Sequence, residues 1–373
     1  FLKRGGLFLF MKRLRSGYTT GACAAAAAKG AALTALTGEP VALIAIPFPD
    51  GRRIDFDLCR CCPVDGPGRS AACTVIKDAG DDPDVTNGAE IIAQVVVSEA
   101  HGGGGGDIVI TGGPGIGMVT KPGLALPVGS HAINPVPRAM IRKAVAEAFA
   151  AARHEIGKYR VQVKISIPNG EVLAGHTLNK RLGIIGGLSI LGTTGVVVPI
   201  SADAWTATIT ASMNVAREIG IGEIVLSTGR TSERAMEGRC RLPEEAYVMM
   251  GDYLEFSLQA AAAHHFHRIH LGGMWAKILK AAMAIPQTHV RHGALDAEHA
   301  ISFLEDLGGN TIQLDFLQGS NTAREILDRL QHHGADAVIR GACLAARDYC
   351  QSVSGLPVSV YLVLATGRIL EAV

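Results

Sequence analysis

The spacing of apolar and polar residues predicts an α+β organisation for the first half of the chain. Residues 159–168 alternate apolar and polar side chains, as a strand with one buried face does. The Ala-rich run 22–36 and the segment 137–154 are predicted as helices. Strands are expected over 41–48, 53–58, 72–78, 91–100, 107–111 and 159–168. We expect antiparallel pairing, with the glycines 102–106 at the tip of a hairpin that 107–111 closes.

The pattern changes after about residue 180, where short apolar runs alternate with helical segments. Asp203 is the expected N-cap of a helix that runs to Ile219. Further helices are expected near 232–239, 243–250, a stretch ending at Met283, 295–306, 321–333 and 335–353. Strands are expected over 223–229, 268–273 and, as the last strand, 357–366. Because strands that alternate with helices build parallel sheets, this half is predicted to be α/β.

Composition narrows the class of protein. The length of 373 residues predicts two or three domains, and a hydrophobic content of 48% against 18% charged residues supplies enough apolar material for a core. The net charge of +1 does not favour nucleic acid or an anionic membrane as a partner. No apolar run reaches the roughly 18–20 residues of a membrane span, and Leu7–Phe10 is shorter than a signal-peptide core of about 7–15 residues. We therefore expect a cytoplasmic protein, in which residues 1–12 are an extension without a functional role.

Two clusters contain residue types that bind metals. The CRCC run places Cys61 and Cys62 side by side, which suits one zinc ion poorly, and a fourth ligand beyond Cys73 is unassigned. We interpret this run as a strand end, and the eight cysteines as free thiols rather than a disulfide frame. The spacing of the histidines between His264 and His270 is also poor for a tetrahedral site, and a solvated linker is preferred. No metal site is predicted.

The stretch 111–141 is the most distinctive part of the sequence, because it is rich in both Gly and Pro. These residues are weak in helix and strand interiors, but glycine lets a backbone approach a ligand and proline stiffens a loop. Lys121 and Arg138 add cations that suit an anionic ligand. We predict a rigid binding loop that contributes Gly112, Gly113, Gly115, Lys121 and Arg138.

Three short segments resemble turns that lead from a strand into a helix or a further apolar run. They are SILGTTGVVVP (189–199), LSTGRTSE (226–233) and LGGMWAKILK (271–280). The first contains Gly192, Thr193, Thr194 and Gly195, and the second contains Thr228, Gly229 and Arg230, with Thr231 or Ser232 as N-cap. Ligands bind at the carboxyl ends of strands in open α/β sheets, so three such turns would line one crevice, although each alone fits an ordinary connection. The GxGxxG spacing of dinucleotide sites is absent from them.

Two polar segments and one histidine complete the candidate residues. The acidic run holds Asp78, Asp81, Asp82 and Asp84, and it could supply acid–base chemistry, bind a divalent metal or form a solvated loop. The segment before the first helix holds Arg15, Tyr18, Thr19 and Thr20, whose hydroxyls and N–H groups could bind an anion or simply cap the helix. His289, in a Gly/His loop, is kept as a base or a substrate contact.

Four of these segments, in this order, resemble the cobalt-precorrin-5B C1-methyltransferase family of the anaerobic cobalamin pathway. They are RSGYTTGACAAAAAKGAA, KDAGDDPDVTNGAEI, TGGPGIGMVTKPGLALPVGSHAINPVPRAMI and NKRLGIIGGLSILGTTGVVVPIS. The resemblance runs from about Leu14 to the C-terminus and is densest up to about Ser201. Two positions depart from the family's usual pattern, since Pro114 replaces an acidic residue and Lys180 a proline. Pro114 thereby weakens any acid–base role at that point.

The resemblance implies methyl transfer from S-adenosylmethionine to ring carbon C1 of a corrinoid, with cobalt present only as part of the substrate. It also implies an α+β N-terminal domain followed by a smaller α/β domain with a parallel sheet. We place the boundary near residue 190, with the substrate-binding loops in 13–190 and the S-adenosylmethionine side in 191–373. Two rival classes stay open, a nucleotide-dependent oxidoreductase and a non-catalytic tetrapyrrole-binding protein.

On this basis each candidate residue receives a role. The methyl donor is assigned to Gly192, Thr193, Thr194, Gly195, Thr228, Gly229 and Arg230. The corrinoid, which carries many carboxylates, is assigned to Arg15, Tyr18, Thr19, Thr20, Gly112, Gly113, Gly115, Lys121 and Arg138. The catalytic assignment is Asp78, Asp81 and Asp82, which could steer the sulfonium or hydrogen-bond the ring nitrogens. A homo-oligomer and a transient hand-over of substrate to neighbouring pathway enzymes are left open.

Overall fold

A computed structural model describes residues 14–65, 68–100, 105–286, 295–308 and 313–373 of the protein. The chain divides into two compact units, which are described separately. The first contains Phe1–Lys121 and Ala125–Ser201, and the second contains Pro122–Leu124 and Ala202–Val373. Within the described ranges, no helix combines the length and the hydropathy that crossing a membrane requires.

The first unit contains thirteen described strands and three described α-helices. The strands are β1 (Gly17–Tyr18), β2 (Leu43–Pro47), β3 (Arg53–Asp57), β4 (Arg60–Pro63), β5 (Arg69–Ile76), β6 (Glu90–Glu99), β7 (Ile108–Gly112), β8 (Gly115–Ile116), β9 (Met118–Val119), β10 (Tyr159–Ser166), β11 (Ile184–Ile185), β12 (Gly187–Leu188) and β13 (Val196–Val197). The helices are α1 (Thr20–Thr37), α2 (Pro135–Ala151) and α3 (Gly170–Ala174). The predicted helices over 22–36 and 137–154 are confirmed, and each begins two residues earlier than expected.

Helix α1 is the centre of this unit's core. Nearly all of its residues are buried, and it packs against β5, β6 and α2. Alanine is the strongest helix former, and its small side chain lets α1 lie close to its neighbours. The Thr19 hydroxyl accepts a hydrogen bond from the Ala22 amide at 3.2 Å, and Gly38 ends the helix with a φ of 77°. The sequence therefore defines both ends of the buried helix.

The main sheet of the first unit corrects the predicted strand pairing. Its strand order is β4-β5-β6-β10-β7, and β7 pairs with β10 in parallel rather than with β6. The hairpin predicted at the glycines 102–106 is therefore wrong, and the pairing is not purely antiparallel. The connection from β7 to β10 contains α2, and a parallel pair needs such a crossover. The strands predicted over 41–48 and 53–58 are confirmed as β2 and β3, which pair antiparallel as expected.

The second unit contains seven described α-helices and five described strands. The helices are α4 (Ala202–Glu218), α5 (Arg230–Cys240), α6 (Leu254–Ala263), α7 (Trp275–Ala282), α8 (Ala297–Gly308), α9 (Ala323–His332) and α10 (Asp336–Ser354). The strands are β14 (Glu223–Ser227), β15 (Tyr247–Met249), β16 (Arg268–Gly273), β17 (Val358–Val363) and β18 (Ile369–Ala372). Asp203 lies inside the first turn of α4, so it is not the residue before the helix that the N-cap prediction required.

The sheet of the second unit has the order β15-β14-β16-β17-β18. The first four strands run parallel, whereas β18 pairs antiparallel with β17 at the edge. The prediction that 357–366 is the last strand is therefore wrong. The helix predicted over 243–250 is also wrong, because 244–246 form one 3₁₀ turn and Tyr247 and Val248 are buried in the sheet as part of β15. The mixed α/β character of the protein is confirmed, and the expected arrangement of its two domains stays a prediction.

The structure corrects the interpretation of two cysteines and of two histidines. Cys61 and Cys73 are direct partners across β4 and β5 and are joined as a disulfide, so these two are not free thiols. His264 hydrogen-bonds Asn214 at 2.8 Å, and His270 lies within β16 and contacts Glu223 at 2.8 Å. His264 is the C-cap of α6 and His270 lies in β16, so the solvated-linker interpretation is wrong for these two, whereas it is confirmed for His265 and His267, which are exposed between the two elements. Among the described residues, no group of three or more His, Cys, Asp or Glu side chains is arranged to hold a metal ion.

Candidate functional site

Three segments that are distant in sequence converge in the first unit. The Tyr18 amide donates to the Asp78 carbonyl at 2.7 Å, and the Thr19 amide donates to the Gly195 carbonyl at 3.0 Å. Strand β1 also pairs antiparallel with β13. The predicted substrate segment 15–20 thus lies between the predicted catalytic turn 78–82 and the segment 191–197. The structure brings together residues that the sequence assigned to three separate roles.

Each carboxylate of the predicted catalytic set already has a partner within the chain. The Arg15 guanidinium binds both oxygens of Asp78, at 2.5 and 2.8 Å, while the Arg15 amide donates to Asp81 at 2.7 Å. Asp82 accepts a hydrogen bond from the Ile200 amide at 3.0 Å. The hydrogen bonds from Arg15 and from the Gly80 amide lower the pKa of Asp78 to about 2. Asp78 is therefore ionised at neutral pH and is a poor proton donor or acceptor there.

The fourth carboxylate of the acidic run, that of Asp84, stabilises the turn through an ion pair and hydrogen bonds. Asp84 receives the buried Lys77 ammonium at 2.7 Å and hydrogen bonds from the Thr86 amide and hydroxyl at 2.8 and 2.7 Å. The Asn87 side chain accepts from the Ala79 amide at 2.9 Å. The acidic run is therefore an ordered turn, and since Asp81 is exposed and the Asp78 side chain is 48% exposed, this turn is also solvated.

The glycines of the segment 191–197 serve chain packing. A Cβ on Gly192 would lie 2.4 Å from the Thr19 side chain, and one on Gly195 would lie 2.7 Å from the Phe48 ring. Thr194 closes the turn by accepting from the Val196 amide at 3.2 Å. These residues are grouped with the first unit, and their predicted position at the carboxyl edge of the parallel sheet stays a prediction. The binding role of Gly192, Thr193, Thr194 and Gly195 stays a prediction.

The start of α1 is held by the same segment. The Gly21 amide donates to the Leu191 carbonyl at 3.0 Å, and the Thr20 hydroxyl accepts from the Leu191 amide at 3.0 Å. The Gly21 amide and, through the Thr19 cap, the Ala22 amide are thereby engaged, and an anion at the helix start would need these N–H groups. The geometry therefore favours the capping interpretation of Thr19 and Thr20 over the anion site.

The glycine- and proline-rich loop is also closely packed. A Cβ on Gly112 would meet the His131 ring at 2.4 Å, one on Gly113 the Ser166 hydroxyl at 2.3 Å, and one on Gly115 the Ile167 carbonyl at 1.8 Å. These glycines bring parts of the first unit together, which does not require a ligand. Their assignment to the corrinoid stays a prediction without support from an open backbone surface.

The two cations of that loop contact backbone carbonyls. The Arg138 guanidinium donates to the carbonyls of Ile133 at 2.8 Å and Ile110 at 3.1 Å. The Lys121 ammonium lies 3.4 Å from the Arg181 carbonyl. Burial lowers the pKa of Arg138, and the neighbouring Arg142 lowers it further. Arg138 therefore fixes the loop, whatever else it binds.

The predicted donor residues of the second unit lie directly after β14. Gly229 is the N-cap of α5, and Ser232 bonds back to it, with 3.2 Å between the Gly229 amide and the Ser232 hydroxyl. The prediction of Thr231 or Ser232 as N-cap is therefore wrong by two or three residues. A Cβ on Gly229 would meet no atom within 4 Å, and Arg230 is exposed. The backbone at this turn is open to a ligand, unlike that of Gly192 or Gly112.

Several residues of the site were not predicted from the sequence. Ile200 had no signal, because a β-branched residue is disfavoured at its φ of 55°. Lys77 did have a signal in the sequence, because a lysine between an apolar strand and an acidic run can form an internal ion pair. Phe48 contacts Tyr18 and Phe56 in an aromatic cluster, with ring centroids 6.1 and 6.3 Å away. His289 lies outside the described residues.

Comparisons with known proteins identify the family. The CbiD family model matches residues 9–199, and the model described as CbiD, C-terminal domain, matches residues 287–373. Relatives named cobalt-precorrin-5B C(1)-methyltransferase occur in Desulfotalea psychrophila, at 51% identity over 95% of this chain and 96% of the relative, and in Geotalea daltonii, at 47% over 92% and 91%. A crystal structure of cobalamin biosynthesis protein (cbiD) from Archaeoglobus fulgidus is 24% identical, covers 86% of this chain and 85% of that chain, and has a TM-score of 0.37. The chain belongs to the CbiD family.

Proposed function

We propose that this protein is an enzyme that methylates carbon C1 of cobalt-precorrin-5B during synthesis of the corrin ring of cobalamin, with S-adenosylmethionine as the methyl donor. The names of its relatives over nearly the whole chain support the reaction. The observation that carries the proposal is the convergence of segments 15–20, 78–82 and 191–200 in one ordered cluster. These segments hold the motifs by which the sequence resembles the family.

The reaction requires little acid–base catalysis from the protein. Ring carbon C1 forms the new carbon–carbon bond, the methyl–sulfur bond breaks, and its electron pair stays on the sulfur of the donor. The macrocycle is electron-rich and supplies its own nucleophilic carbon, so the protein contributes positioning and exclusion of water. The low pKa of Asp78 agrees with this division, because a carboxylate that stays ionised at neutral pH is a poor proton acceptor there.

The corrinoid is proposed to bind at the first unit, where its carboxylate side chains would contact cationic and N–H donors. A guanidinium carries five N–H donors, and the contacts described above use two on Arg15 and two on Arg138. Both can therefore hold the fold and bind substrate. Lys121, Tyr18 and the nearby glycines complete this proposed surface.

The methyl donor is proposed to bind in the second unit at Thr228, Gly229 and Arg230. The open backbone at Gly229 supports this assignment, whereas the packing of Gly192 and Gly195 makes that pair the poorer choice. A cytoplasmic location and a homo-oligomeric state stay predictions.

Incubation of the purified protein with cobalt-precorrin-5B and methyl-labelled S-adenosylmethionine tests the reaction. We expect label in the corrinoid, at C1 by NMR. A non-catalytic tetrapyrrole carrier would bind the corrinoid and transfer no label. A nucleotide-dependent oxidoreductase would instead be stabilised in a thermal-shift screen by nicotinamide or flavin nucleotides and not by S-adenosylhomocysteine.

A further inference from the structure

The parallel sheet of the second unit contains a point where its strand order reverses. Strand β14 is followed by β15 on one side, while β16 lies on the other side of β14 and is followed by β17 further out. The chain thus leaves the neighbouring strands β14 and β16 in opposite directions. In open α/β sheets, ligands bind outside the carboxyl ends of strands at such a reversal.

The helices that follow these two strands pack on opposite faces of the sheet. Met236 of α5 packs in a cluster with Val225 and Tyr361. Ile278 of α7 packs in the larger core that contains Leu226 and Leu271, whose side chains alternate with that of Val225 across the sheet. The helices α5 and α7 therefore leave the ends of β14 and β16 towards opposite faces of the sheet.

Buried polar groups without partners mark the same edge. Within the described ranges, three buried side-chain polar atoms have no hydrogen-bond partner, and two of them are the Ser227 hydroxyl and the Trp275 indole N–H. Ser227 is the last residue of β14, and Trp275 is the first residue of α7. Such groups are rare in folded proteins, and each asks for an explanation such as a bound molecule. Their occurrence at adjacent strand ends, beside the open Gly229, singles out this edge.

Asp252 lies at the position where nucleoside-binding βαβ units bind the ribose. The elements β14, α5 and β15 form a parallel βαβ unit, and Asp252 follows the second strand, 23 residues after the turn glycine Gly229. In nucleoside-binding βαβ units, an acidic residue about 20 residues after the glycine turn accepts hydrogen bonds from the ribose. The Lys277 ammonium of α7 binds the Asp252 carboxylate and holds it at this edge.

From this placement we propose that Asp252 binds the ribose hydroxyls of the methyl donor, in a nucleoside site formed by Thr228–Gly229, Asp252 and the start of α7. The inference rests on the proposed function and adds a binding residue to it. The ligand class is an adenosine without a pyrophosphate, since the turn has a single glycine where dinucleotide sites need the GxGxxG spacing. No covalent step is assigned to Asp252.

Binding of S-adenosylhomocysteine to the full-length protein, measured by calorimetry, tests the site. We expect Asp252→Ala to weaken binding at least about tenfold and Asp252→Asn to weaken it less, because the amide can still accept one hydrogen bond. The control Asp328→Asn removes an exposed carboxylate of α9 in the same unit and is expected to leave affinity unchanged. Equal affinities of the Asp252 variants and the control would overturn the inference.

A ligand analogue separates recognition from a structural effect. If Asp252 binds the ribose, the 2′-deoxy analogue of S-adenosylhomocysteine should bind the native protein more weakly and lose little further affinity in Asp252→Ala. A structural role would weaken both ligands by the same factor, which would contradict the proposal. The variant Lys277→Met, which breaks the ion pair and keeps the carboxylate, is expected to retain the preference for the ribose hydroxyl.

The outcome also distinguishes this inference from the proposed function. If the native protein transfers the methyl group but the Asp252 variants bind S-adenosylhomocysteine as well as it does, the ribose site is wrong and the proposed reaction is unaffected. Failure of the native protein to bind S-adenosylhomocysteine or to transfer label would remove the proposed function, and the site with it.

Discussion

Asp82 accepts a hydrogen bond from the Ile200 amide at 3.0 Å, and Ile200 has a φ of 55°. A β-branched residue in this left-handed region is strained by roughly 1–2 kcal/mol, so surrounding contacts must hold it there. The sequence assigned Asp82 to catalysis, whereas its observed contact stabilises the backbone of the segment that ends the first unit. The carboxylate therefore has a structural task whether or not it also faces substrate.

Replacement of Ile200 by asparagine is expected to stabilise the protein by about 1 kcal/mol, because asparagine tolerates the left-handed conformation. The Ile200 side chain is 54% exposed, so little apolar burial is lost. Urea unfolding measures the change. The control Val198→Asn alters a side chain of similar exposure, 58%, without positive φ, and should not stabilise the protein. A loss of stability in Ile200→Asn would show that the strain is absent or that the side chain is needed.

Two glycines assigned to the donor should respond differently to substitution. Gly192→Ala places a Cβ against Thr19 at a φ of 123°, and we expect a loss of about 2 kcal/mol or more in the free energy of unfolding. Gly229→Ala meets no atom within 4 Å at an extended φ of 174°, and it should change stability by less than about 0.5 kcal/mol. Urea unfolding compares the two variants.

Calorimetry with S-adenosylhomocysteine completes that comparison. The pair of changes Thr228→Ala and Gly229→Val, which alters the turn itself, is expected to weaken binding about tenfold or more. Unchanged affinity in this variant would remove the donor from the end of β14. A weakened affinity in a folded Gly192→Ala protein would return the donor to the first unit.

The sequence predicted elements whose signals are local. Helix α1 is defined by its alanines and by caps at both ends, and β2 and β3 by their alternation around a tight turn. The strand that pairs with β7 could not be predicted from the local sequence. The alternation in 159–168 shows a strand, but only the crossover through α2 decides that this strand separates β6 from β7. The helix predicted at 243–250 failed because burial of Tyr247 and Val248 in the sheet overrides their weak helical preference.

The site was predictable at the level of segments and less so for individual residues. Motif resemblance selected the segments around Arg15, Asp78 and Gly192, and the structure places them in contact. Whether a glycine faces a ligand or a neighbouring chain segment depends on tertiary packing, so composition could not separate Gly229 from Gly192. The same holds for Arg138, whose cation suits an anion while its N–H groups are directed at carbonyls of its own loop.

The pH dependence of stability should report the ion network around Glu147. Its carboxylate binds Arg53 at 2.8 and 2.9 Å and the buried Lys29 at 2.5 Å, and these contacts lower its pKa from 4.5 to about 2. Because the folded pKa is the lower one, the stabilisation is complete above about pH 4.5 and is lost as pH falls towards 2. Glu147→Gln should therefore be less stable than the native protein at pH 7, by about 1–2 kcal/mol, and approach it near pH 2.

Chemical unfolding at pH 7, 4.5, 3 and 2 measures that convergence. Glu155→Gln is the matched control, since its pair with Lys158 is exposed on both sides and contributes little. A constant difference between Glu147→Gln and the native protein across this range would contradict the assigned pKa.

Asp78 acts either as a general base or as a clamp, that is, as an ionised carboxylate that holds the Arg15 guanidinium. If Asp78 is a clamp, removing either partner of the ion pair should have the same consequence. We therefore expect Arg15→Ala and Asp78→Asn each to lower kcat/KM for methyl transfer about three- to tenfold. The double variant should fall no further than about threefold below either single variant, because the second change removes a contact that is already lost. A general base would behave otherwise, with Asp78→Asn losing a factor of about 100 or more in kcat/KM while Arg15→Ala keeps most activity.

Since the pKa of Asp78 is about 2, the native enzyme should also show no inflection from this group in its pH–rate profile above pH 4. An inflection there that disappears in Asp78→Asn would identify Asp78 as the titrating group and refute the clamp.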